Sequence, residues 1–330
     1  MAGRNFSAMR EIAVACVGAI MAADAMTAQA QENFPNRPVR LVNPFTPGGS
    51  VDLVGRAVAH GLSDIWGHQV IVDNRPGAGT QIGTEIVVRA DPDGYTMLVN
   101  SSAIAITPSM YKSMRFDSIR DVTPVSLLAK TAQFLVVNPA LPAKTAKDVV
   151  ALAKARPGKL AAATSGVGST THLTMELFKS MAGVDILTVP YKGGAPAIAD
   201  LIGGQVQLFF NTPGTLLSHI NAGKLRAVGI SSDKRGDFAP DVPTVAESGV
   251  PGFEAYIWYA IYGPRGLPAP IVKRWSDAVG QYLRSPQATD HFRKTYMVAG
   301  SGTPATFAAY HKSETERWGK VVKGAGIKPQ

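Results

Sequence analysis

Five short loops of the sequence carry the residue types that best suit the binding of an anion. Each follows an apolar run that predicts a strand, precedes a helical pattern, and is rich in Gly, Ser, Thr or Pro. At such junctions the free N–H groups and the positive dipole end of a helix attract negative charge, and glycine admits close backbone approach. The loops are 46–50, 76–80, 165–171, 192–196 and 212–215.

These loops also have an interpretation without any ligand. Glycine is common in strand-to-helix turns, and Ser50, Thr145 and Ser169 stand where they would serve as helix N-caps. Asp52 would be stabilised in a first helical turn by the helix dipole alone. Both interpretations remain open for any single loop. Taken together, the five loops favour an anion site built largely of backbone and hydroxyl donors.

Catalytic and cofactor motifs are poorly matched. The patterns of zinc metalloproteases, P-loop proteins and α/β-hydrolases do not occur, and segment 77–83 has one residue too many for the dinucleotide fingerprint. His172 lies beside a Gly/Ser loop, where we expect a polar contact or packing group and not a general base. The six histidines show no zinc-ligand spacing. We therefore expect no catalytic residue, no metal and no cofactor.

The elements that position these loops alternate along the chain. Thr145 followed by Asp148 predicts a capping box for a helix ending at Ala155. Strands alternating with helices favour parallel pairing and an α/β fold. Hydrophobic patterning predicts strands at 39–45, 69–74, 95–100, 160–164, 185–191, 206–211, 225–231 and 253–262, an extended stretch over 125–138, and three helices between 270 and 323.

The first thirty residues predict an export signal. Arg4 and Arg10 precede an apolar run, and the A-x-A pattern at 28–30 places cleavage after Ala30. The run is shorter than the ~18–20 residues of a membrane span, which disfavours a transmembrane anchor. The only cysteine, Cys16, leaves with the signal, and a lipid anchor on it is a weaker alternative.

The charge of the chain narrows the choice of partner. The net charge is +9 at pH 7, and removal of the signal leaves it unchanged because that segment holds two basic and two acidic residues. The basic residues are scattered and no recognition motif appears, so we expect no nucleic-acid partner. The excess positive charge instead suits the attraction of a small anionic solute.

Several segments resemble the Bug proteins, the extracytoplasmic solute receptors of the tripartite tricarboxylate transporter group. In chain order they are NPFTPGGSVDLVGR (43–56), DNRPGAGTQIG (73–83), DPDGYTML (91–98), TSGVGSTTHL (164–173), VPYKGGAPAIADLIGGQV (189–206) and AGKLRAVGIS (222–231). The resemblance runs from about Phe34 to the C-terminus.

The resemblance implies a two-lobed periplasmic binding protein fold, type II-like, of the α/β class. Each lobe is expected to hold a mixed, mostly parallel sheet flanked by helices, with the ligand cleft between the lobes. The implied boundaries are 1–30 for the signal peptide, 31–130 plus 253–330 for lobe 1, and 131–252 for lobe 2.

The resemblance further implies that one loop of each lobe holds a carboxylate through main-chain N–H groups, hydroxyls and ordered waters. Asn211 departs from the Asp that many relatives carry, which removes an attraction for an ammonium group and favours a plain carboxylate. Carried onto this chain, the ligand-binding residues are Phe45, Thr46, Gly48, Gly49, Ser50, Asp52, Ala78, Gly79, Ser101 and Ser102 in the first lobe, and Ser165, Gly166, Gly168, Ser169, Thr170, His172, Tyr191, Ala195 and Asn211 in the second, with Lys192 on a neighbouring loop.

The implied function is capture of a small organic carboxylate, an aromatic or aliphatic di- or tricarboxylate, by hinge closure in the periplasm. The ligand would then pass to the permease subunits of a tripartite tricarboxylate transporter, and the receptor is expected to be a monomer. Two alternatives remain open. One is an exported hydrolase that uses His172 with Ser169 or Asp52, and the other is a ligand-sensing subunit for a membrane sensor kinase.

Overall fold

The computed structural model describes residues 34–236, 238–327 and 329, so the predicted signal peptide lies outside the described residues. Two sheets organise the chain. The first has the order β11-β4-β10-β3-β1-β2 and contains β1 (Val39–Asn43), β2 (Val70–Asn74), β3 (Thr96–Ser101), β4 (Val122–Ala132), β10 (Tyr256–Pro264) and β11 (Val298–Ala299). The second has the order β7-β6-β8-β5-β9 and contains β5 (Phe134–Val137), β6 (Ala161–Thr164), β7 (Leu187–Pro190), β8 (Leu208–Asn211) and β9 (Arg226–Ile230).

Helices cover both faces of each sheet. No helix in the described part of the chain is long and apolar enough to cross a membrane. The helices are α1 (Ser50–Trp66), α2 (Gln81–Val88), α3 (Ala103–Met110), α4 (Ala146–Ala155), α5 (Thr170–Ala182), α6 (Gly194–Ile202), α7 (Pro213–Asn221), α8 (Ala269–Leu283), α9 (Pro286–Lys294) and α10 (Pro304–Gly324).

Local sequence signals explain several of these boundaries. Helix α1 ends because Gly67 adopts a left-handed conformation with a φ of 68°, which glycine accepts without strain. The capping box predicted at the start of α4 is confirmed, since the Thr145 side chain accepts from the Asp148 backbone and the Asp148 side chain accepts from that of Thr145. Ser169 is confirmed as an N-cap, whereas Ser50 is the first residue of α1 and Gly49 caps it.

The α/β class is confirmed, with two mixed sheets flanked by helices. The expected predominance of parallel pairing is wrong in detail, because five of the nine strand pairings in the described chain are antiparallel. The reversed strands include β5 and β10, which lie at the two points where the chain crosses between sheets. A strand that enters a sheet at such a crossing has no helical connection to turn it parallel to its neighbour.

Two features between residues 102 and 138 differ from the expectation. Helix α3 was not predicted, because AIAITPSM is apolar on all sides and contains Pro108, so it has no helical period to recognise. The single extended stretch expected over 125–138 is two strands, β4 and β5, in different sheets. Gln133 alone separates them, and it marks the crossing from one sheet to the other.

The two crossing segments meet at a buried hydrogen-bond network. The Gln133 backbone N–H donates to the Ser231 hydroxyl at 2.8 Å, and the Ser231 N–H donates to the Gln133 carbonyl at 2.8 Å. The Ser231 hydroxyl donates in turn to the carbonyl of Ala255, just before β10. The Gln133 amide nitrogen donates to the Thr174 hydroxyl on α5 at 2.7 Å. This network ties both interlobe segments to one another, and we refer to it as the hinge network.

Each sheet has one buried apolar cluster on either face, as expected for α/β lobes. The helices α3 and α10 do not stay within one lobe. Ile106 and Met110 of α3, with Trp318 and Val322 of α10, pack into the cluster that contains Phe178 of α5. The C-terminal helix α10 therefore packs against the apolar cores of both sheets.

Buried His311 predicts an acid-sensitive fold. Its ring packs among Trp258, Tyr262 and Phe307, and burial lowers its pKa to about 4 from an ordinary value of 6.5. Between pH 6.5 and 4 the His311 imidazole is therefore protonated in the unfolded chain but largely neutral in the folded chain. The free energy of unfolding falls by about 3 kcal/mol over this pH range. His311→Phe should remove this part of the pH dependence in urea denaturation at pH 7, 5.5 and 4.5. His60→Phe, at an exposed site, is the control, and equal slopes in wild type and His311→Phe would contradict the prediction.

Candidate functional site

A cavity of about 770 Å³ lies between the two lobes, at the carboxyl ends of β1, β3, β6 and β8. Among the sequence-predicted residues it is lined by Phe45, Thr46, Gly48, Gly49, Ser50, Ser101, Ser165, Ser169, Thr170, Ala195 and Asn211, together with Lys192. Its remaining lining is Pro47, Val51, Ala103, Thr171, Gly193, Gly194, Pro196, Ile198, Ala199, Ile202, Thr212, Thr215, His219 and Ile257.

Five helices begin at this cavity: α1, α3, α5, α6 and α7. In four of them, all except α5, no N-cap side chain accepts from a backbone N–H of the first turn; in α5 the Ser169 side chain does. The N–H groups of a first helical turn have no partner inside the helix, and the helix dipole makes that end positive. Among the described residues no Asp or Glu lines the cavity, so these donors meet no carboxylate of that part of the chain there.

The first-lobe loop is shaped from beneath by Asp52. This carboxylate is buried and accepts from the Gly48 N–H at 3.0 Å, from Arg56 at 2.8 Å, from Asn74 at 2.8 Å and from Asn43 at 3.3 Å. Burial raises the pKa of Asp52, but the hydrogen bonds from Arg56, Gly48 and Asn74 together outweigh it, so the pKa lies below its ordinary value. Asp52 does not line the cavity; it holds the loop that does.

Asn43 and Asn74 complete this arrangement and were not among the predicted site residues. They pair in register at the ends of the adjacent strands β1 and β2. The Asn43 amide oxygen accepts from the Phe45 N–H at 3.1 Å, and the Asn74 amide donates to the Phe45 carbonyl at 3.1 Å. Both bonds fix the backbone that enters the loop 46–50. The sequence signal that could have identified them is the pair of asparagines at the ends of two neighbouring parallel strands.

The floor of the cleft joins the two lobes. Ser102 of the first lobe and Thr170 of the second are both buried, and their hydroxyl oxygens are 2.7 Å apart. Ser102 is thus engaged below the cavity, while its neighbour Ser101 lines it. From β10, Ile257 reaches the cavity, and the aromatic residues of that strand do not. The helices α3 and α5 therefore begin side by side where the two lobes meet.

The second-lobe loop is held by its own side chains. The Ser169 hydroxyl donates to the Gly166 carbonyl at 2.7 Å, and the His172 Nδ1 atom accepts from the Gly168 N–H at 3.3 Å. Burial lowers the pKa of His172, and the nearby Glu176 carboxylate raises it by a smaller amount. The net pKa is lowered, so the neutral form of the ring is favoured. Gly166, Gly168 and His172 lie behind the lining. The hydrogen bonds of the described residues do not join the His172 ring to the Ser169 hydroxyl.

Asn211 presents its amide nitrogen toward the cleft. Its oxygen accepts from the Thr212 N–H at 2.9 Å, which leaves the NH₂ group directed at Gly194. A β-carbon on Gly194 would lie 2.9 Å from that nitrogen and 3.8 Å from the Ser165 hydroxyl. Glycine at the start of α6 thus leaves the Asn211 donor open to the cavity.

Three further predicted residues lie outside the lining. The Tyr191 hydroxyl donates to Asp200 at 2.7 Å and anchors the loop 192–196 to α6. Ala78 and Gly79 pack toward α3, where the Gly79 carbonyl accepts from Thr107 at 3.0 Å. The loop 76–80 follows β2, which lies at one edge of its sheet, and none of its residues lines the cavity. Within the described residues, no cluster of His, Cys, Asp or Glu is able to hold a metal ion.

Two α/β lobes that enclose a donor-lined cleft define the class of two-lobed solute-binding proteins. Residues 54–327 match the family described as Tripartite tricarboxylate transporter family receptor. The chain is 36% identical to Protein BugT of Bordetella pertussis over 299 residues, which is 90% of this chain and 92% of BugT.

Solved structures agree with the sequence comparison. The structure described as R. palustris Rpa4515 with adipate matches at a TM-score of 0.85 and 37% identity, over 90% of this chain and 100% of that one. The periplasmic binding protein BugD matches at a TM-score of 0.82 and 32% identity, over 90% of this chain and 100% of that one. The chain belongs to the tripartite tricarboxylate transporter receptor family, and the resemblance to the Bug proteins is confirmed. Membership in this family of receptors implies export to the periplasm.

Proposed function

We propose that this receptor binds a small organic di- or tricarboxylate, aromatic or aliphatic, between its lobes and delivers it to the permease subunits of a tripartite tricarboxylate transporter. The observation that carries the proposal is the convergence of five helix N-termini on one cavity, whose lining in the described part of the chain includes no acidic residue. Such donors favour an anion over a neutral or cationic solute. The adipate in the structure of Rpa4515 supports the same ligand chemistry.

Isothermal titration calorimetry against a carboxylate panel tests the ligand class. The panel contains adipate, citrate and terephthalate, with adipamide as the uncharged match to adipate. We expect saturable 1:1 binding of at least one carboxylate and none of adipamide. Binding of adipamide as tight as that of adipate, or no binding of any carboxylate, would overturn the proposal.

Closure of the two lobes on the ligand is the proposed mechanism. Contacts from both lobes to one ligand favour the closed form over the open one. Hydrogen bonds of the hinge network join the two interlobe segments at Gln133, Ser231 and Ala255, and we place the axis of closure there. Small-angle X-ray scattering should show a decrease in the radius of gyration when the bound carboxylate is added, and an unchanged radius would contradict closure.

Delivery to a permease is separable from a sensing role. Deletion of the permease genes should abolish uptake of the bound carboxylate while the receptor still binds it. Intact uptake after that deletion would favour a partner sensor kinase instead.

We also propose that the mature receptor begins after Ala30 and is a monomer. N-terminal sequencing and light scattering of the exported protein measure these two properties, and a different start or a larger mass would contradict them.

Binding without catalysis is the remaining part of the proposal. The Ser169 hydroxyl is engaged by the Gly166 carbonyl and the His172 backbone, so a nucleophile–base pair is not formed. Asp52 is engaged by four donors beneath the other loop. Incubation with ester and amide panels should give no turnover above that of a Ser169→Ala variant, and turnover that this variant loses would restore the hydrolase alternative.

A further inference from the structure

The cavity extends beyond the donor cluster as a groove between α6 and α7. On α6 the residues Ala195, Ile198, Ala199 and Ile202 line it, at the spacing i, i+3, i+4 and i+7 that makes one continuous helix face. Two members of this face, Ala195 and Ala199, are exposed, and Ile202 is half-buried. A face of a surface helix that is open to solvent usually carries polar side chains, so an apolar face that lines a ligand cavity favours an apolar part of the ligand.

The rest of α6 strengthens this assignment. Its core-facing side includes Ala197 and Leu201, which are fully buried, and Ile198 belongs to the same buried cluster while Ile202 packs against it. Ala195 and Ala199 are the members of the groove face that lie outside that cluster. Its one charged residue, Asp200, accepts a hydrogen bond from Tyr191 at 2.7 Å and does not line the cavity. The helix is thus apolar toward both the core and the cleft.

The far end of the groove is polar. His219 lines it on α7, one turn beyond Thr215 and seven residues after Thr212. At 1.5 Å per residue, His219 and Ile202 stand about 10–12 Å along their helices from the uncapped N-termini. The Thr215 hydroxyl donates to the Thr212 carbonyl at 2.9 Å, whereas the hydrogen bonds of the described residues give the His219 ring no partner inside the groove. The imidazole therefore offers a hydrogen bond to a ligand that reaches it.

We propose that the ligand is an elongated, unbranched dicarboxylate, an inference that rests on the proposed function and specifies its substrate. One carboxylate lies at the helix N-termini beside Asn211. The methylene chain lies along the apolar face of α6, and the second carboxylate accepts a hydrogen bond from His219. The groove is continuous with the donor cluster, so one molecule occupies both.

Calorimetric titration with succinate, adipate, suberate and sebacate tests the apolar groove. We expect affinity to rise about fourfold for each methylene that is buried, until the chain reaches His219. Ala199→Asp places a charge on the exposed part of the groove and should flatten this dependence while succinate binding persists. Ile202→Ser should flatten it as well, and Ile71→Ser, at an exposed site on β2 in the other lobe, is the matched control.

A comparison of suberate with octanoate tests the polar end. His219→Ala should weaken suberate about tenfold and leave octanoate unchanged, whereas His60→Ala, on the exposed side of α1, should change neither. Equal affinity across the dicarboxylate series, tighter binding of citrate than of suberate, or a chain-length dependence that survives Ala199→Asp would overturn this inference and leave the carboxylate receptor standing. Absence of binding by every carboxylate would overturn the proposed function itself.

Discussion

Asn211→Asp is expected to weaken adipate binding at least a hundredfold at pH 7. In the substituted protein one carboxylate oxygen still accepts from the Thr212 N–H, but the other replaces the amide donor that faces the cavity. The ligand then loses a hydrogen bond to a charged group, worth about 1.5–3 kcal/mol, and meets a like charge in a site to which the described residues contribute no other acidic side chain. Calorimetric titration at constant ionic strength measures the change.

Two comparison variants separate the lost donor from the added charge. Asn211→Ala removes the donor alone and should weaken adipate about tenfold. Asn221→Asp makes the same chemical change at the exposed end of α7, away from the cavity, and should leave adipate binding unaffected. The new carboxylate should also favour a ligand that carries an ammonium group, so 2-aminoadipate should lose less affinity than adipate. Equal losses for both ligands would mean that Asn211 does not select between them.

The sequence predicted the cavity through its loops more reliably than through single residues. Four of the five Gly-, Ser-, Thr- or Pro-rich junctions line the cavity: 46–50, 165–171, 192–196 and 212–215. They converge because each loop follows the carboxyl end of a strand, and these strand ends of both sheets face the cavity. The fifth, 76–80, follows an edge strand and packs toward α3. An edge position alone does not decide this, because the loop 192–196 follows the edge strand β7 and still lines the cavity. The packing of 76–80 against α3 depends on tertiary contacts for which the local sequence carries no signal.

Residues that hold the loops were harder to predict than residues within them. Asp52 was expected at the ligand, but its four hydrogen bonds depend on Asn43 and Asn74 meeting in register across two strands. The hinge network likewise joins Gln133 to Ser231, residues 98 positions apart in the chain. A hydrophobic pattern predicts which face of a helix or strand is buried. It does not predict which elements lie next to each other, and these contacts depend on that. The apolar face of α6 was present in the sequence, but only the cavity shows that its Ala195 and Ala199 side faces a ligand space.

Asp52→Asn therefore tests whether loop geometry, without direct ligand contact, sets affinity. All four partners of Asp52 are donors, and an amide accepts at only one of its two ends, so the Gly48 N–H or the Asn74 amide would face another donor. We expect the loop 46–50 to lose its fixed conformation. Adipate should bind 10–100-fold more weakly, and the free energy of unfolding should fall by about 2–4 kcal/mol.

Asp64→Asn is the matched control for Asp52→Asn, because it removes the same charge from an exposed position of the same helix. It should change neither urea denaturation nor adipate affinity by more than about 0.5 kcal/mol. If Asp52→Asn is destabilised but binds adipate as tightly as wild type, the loop does not depend on this carboxylate. If both properties change together, the buried charge beneath α1 positions the donors that meet the ligand, because Asp52 itself does not line the cavity.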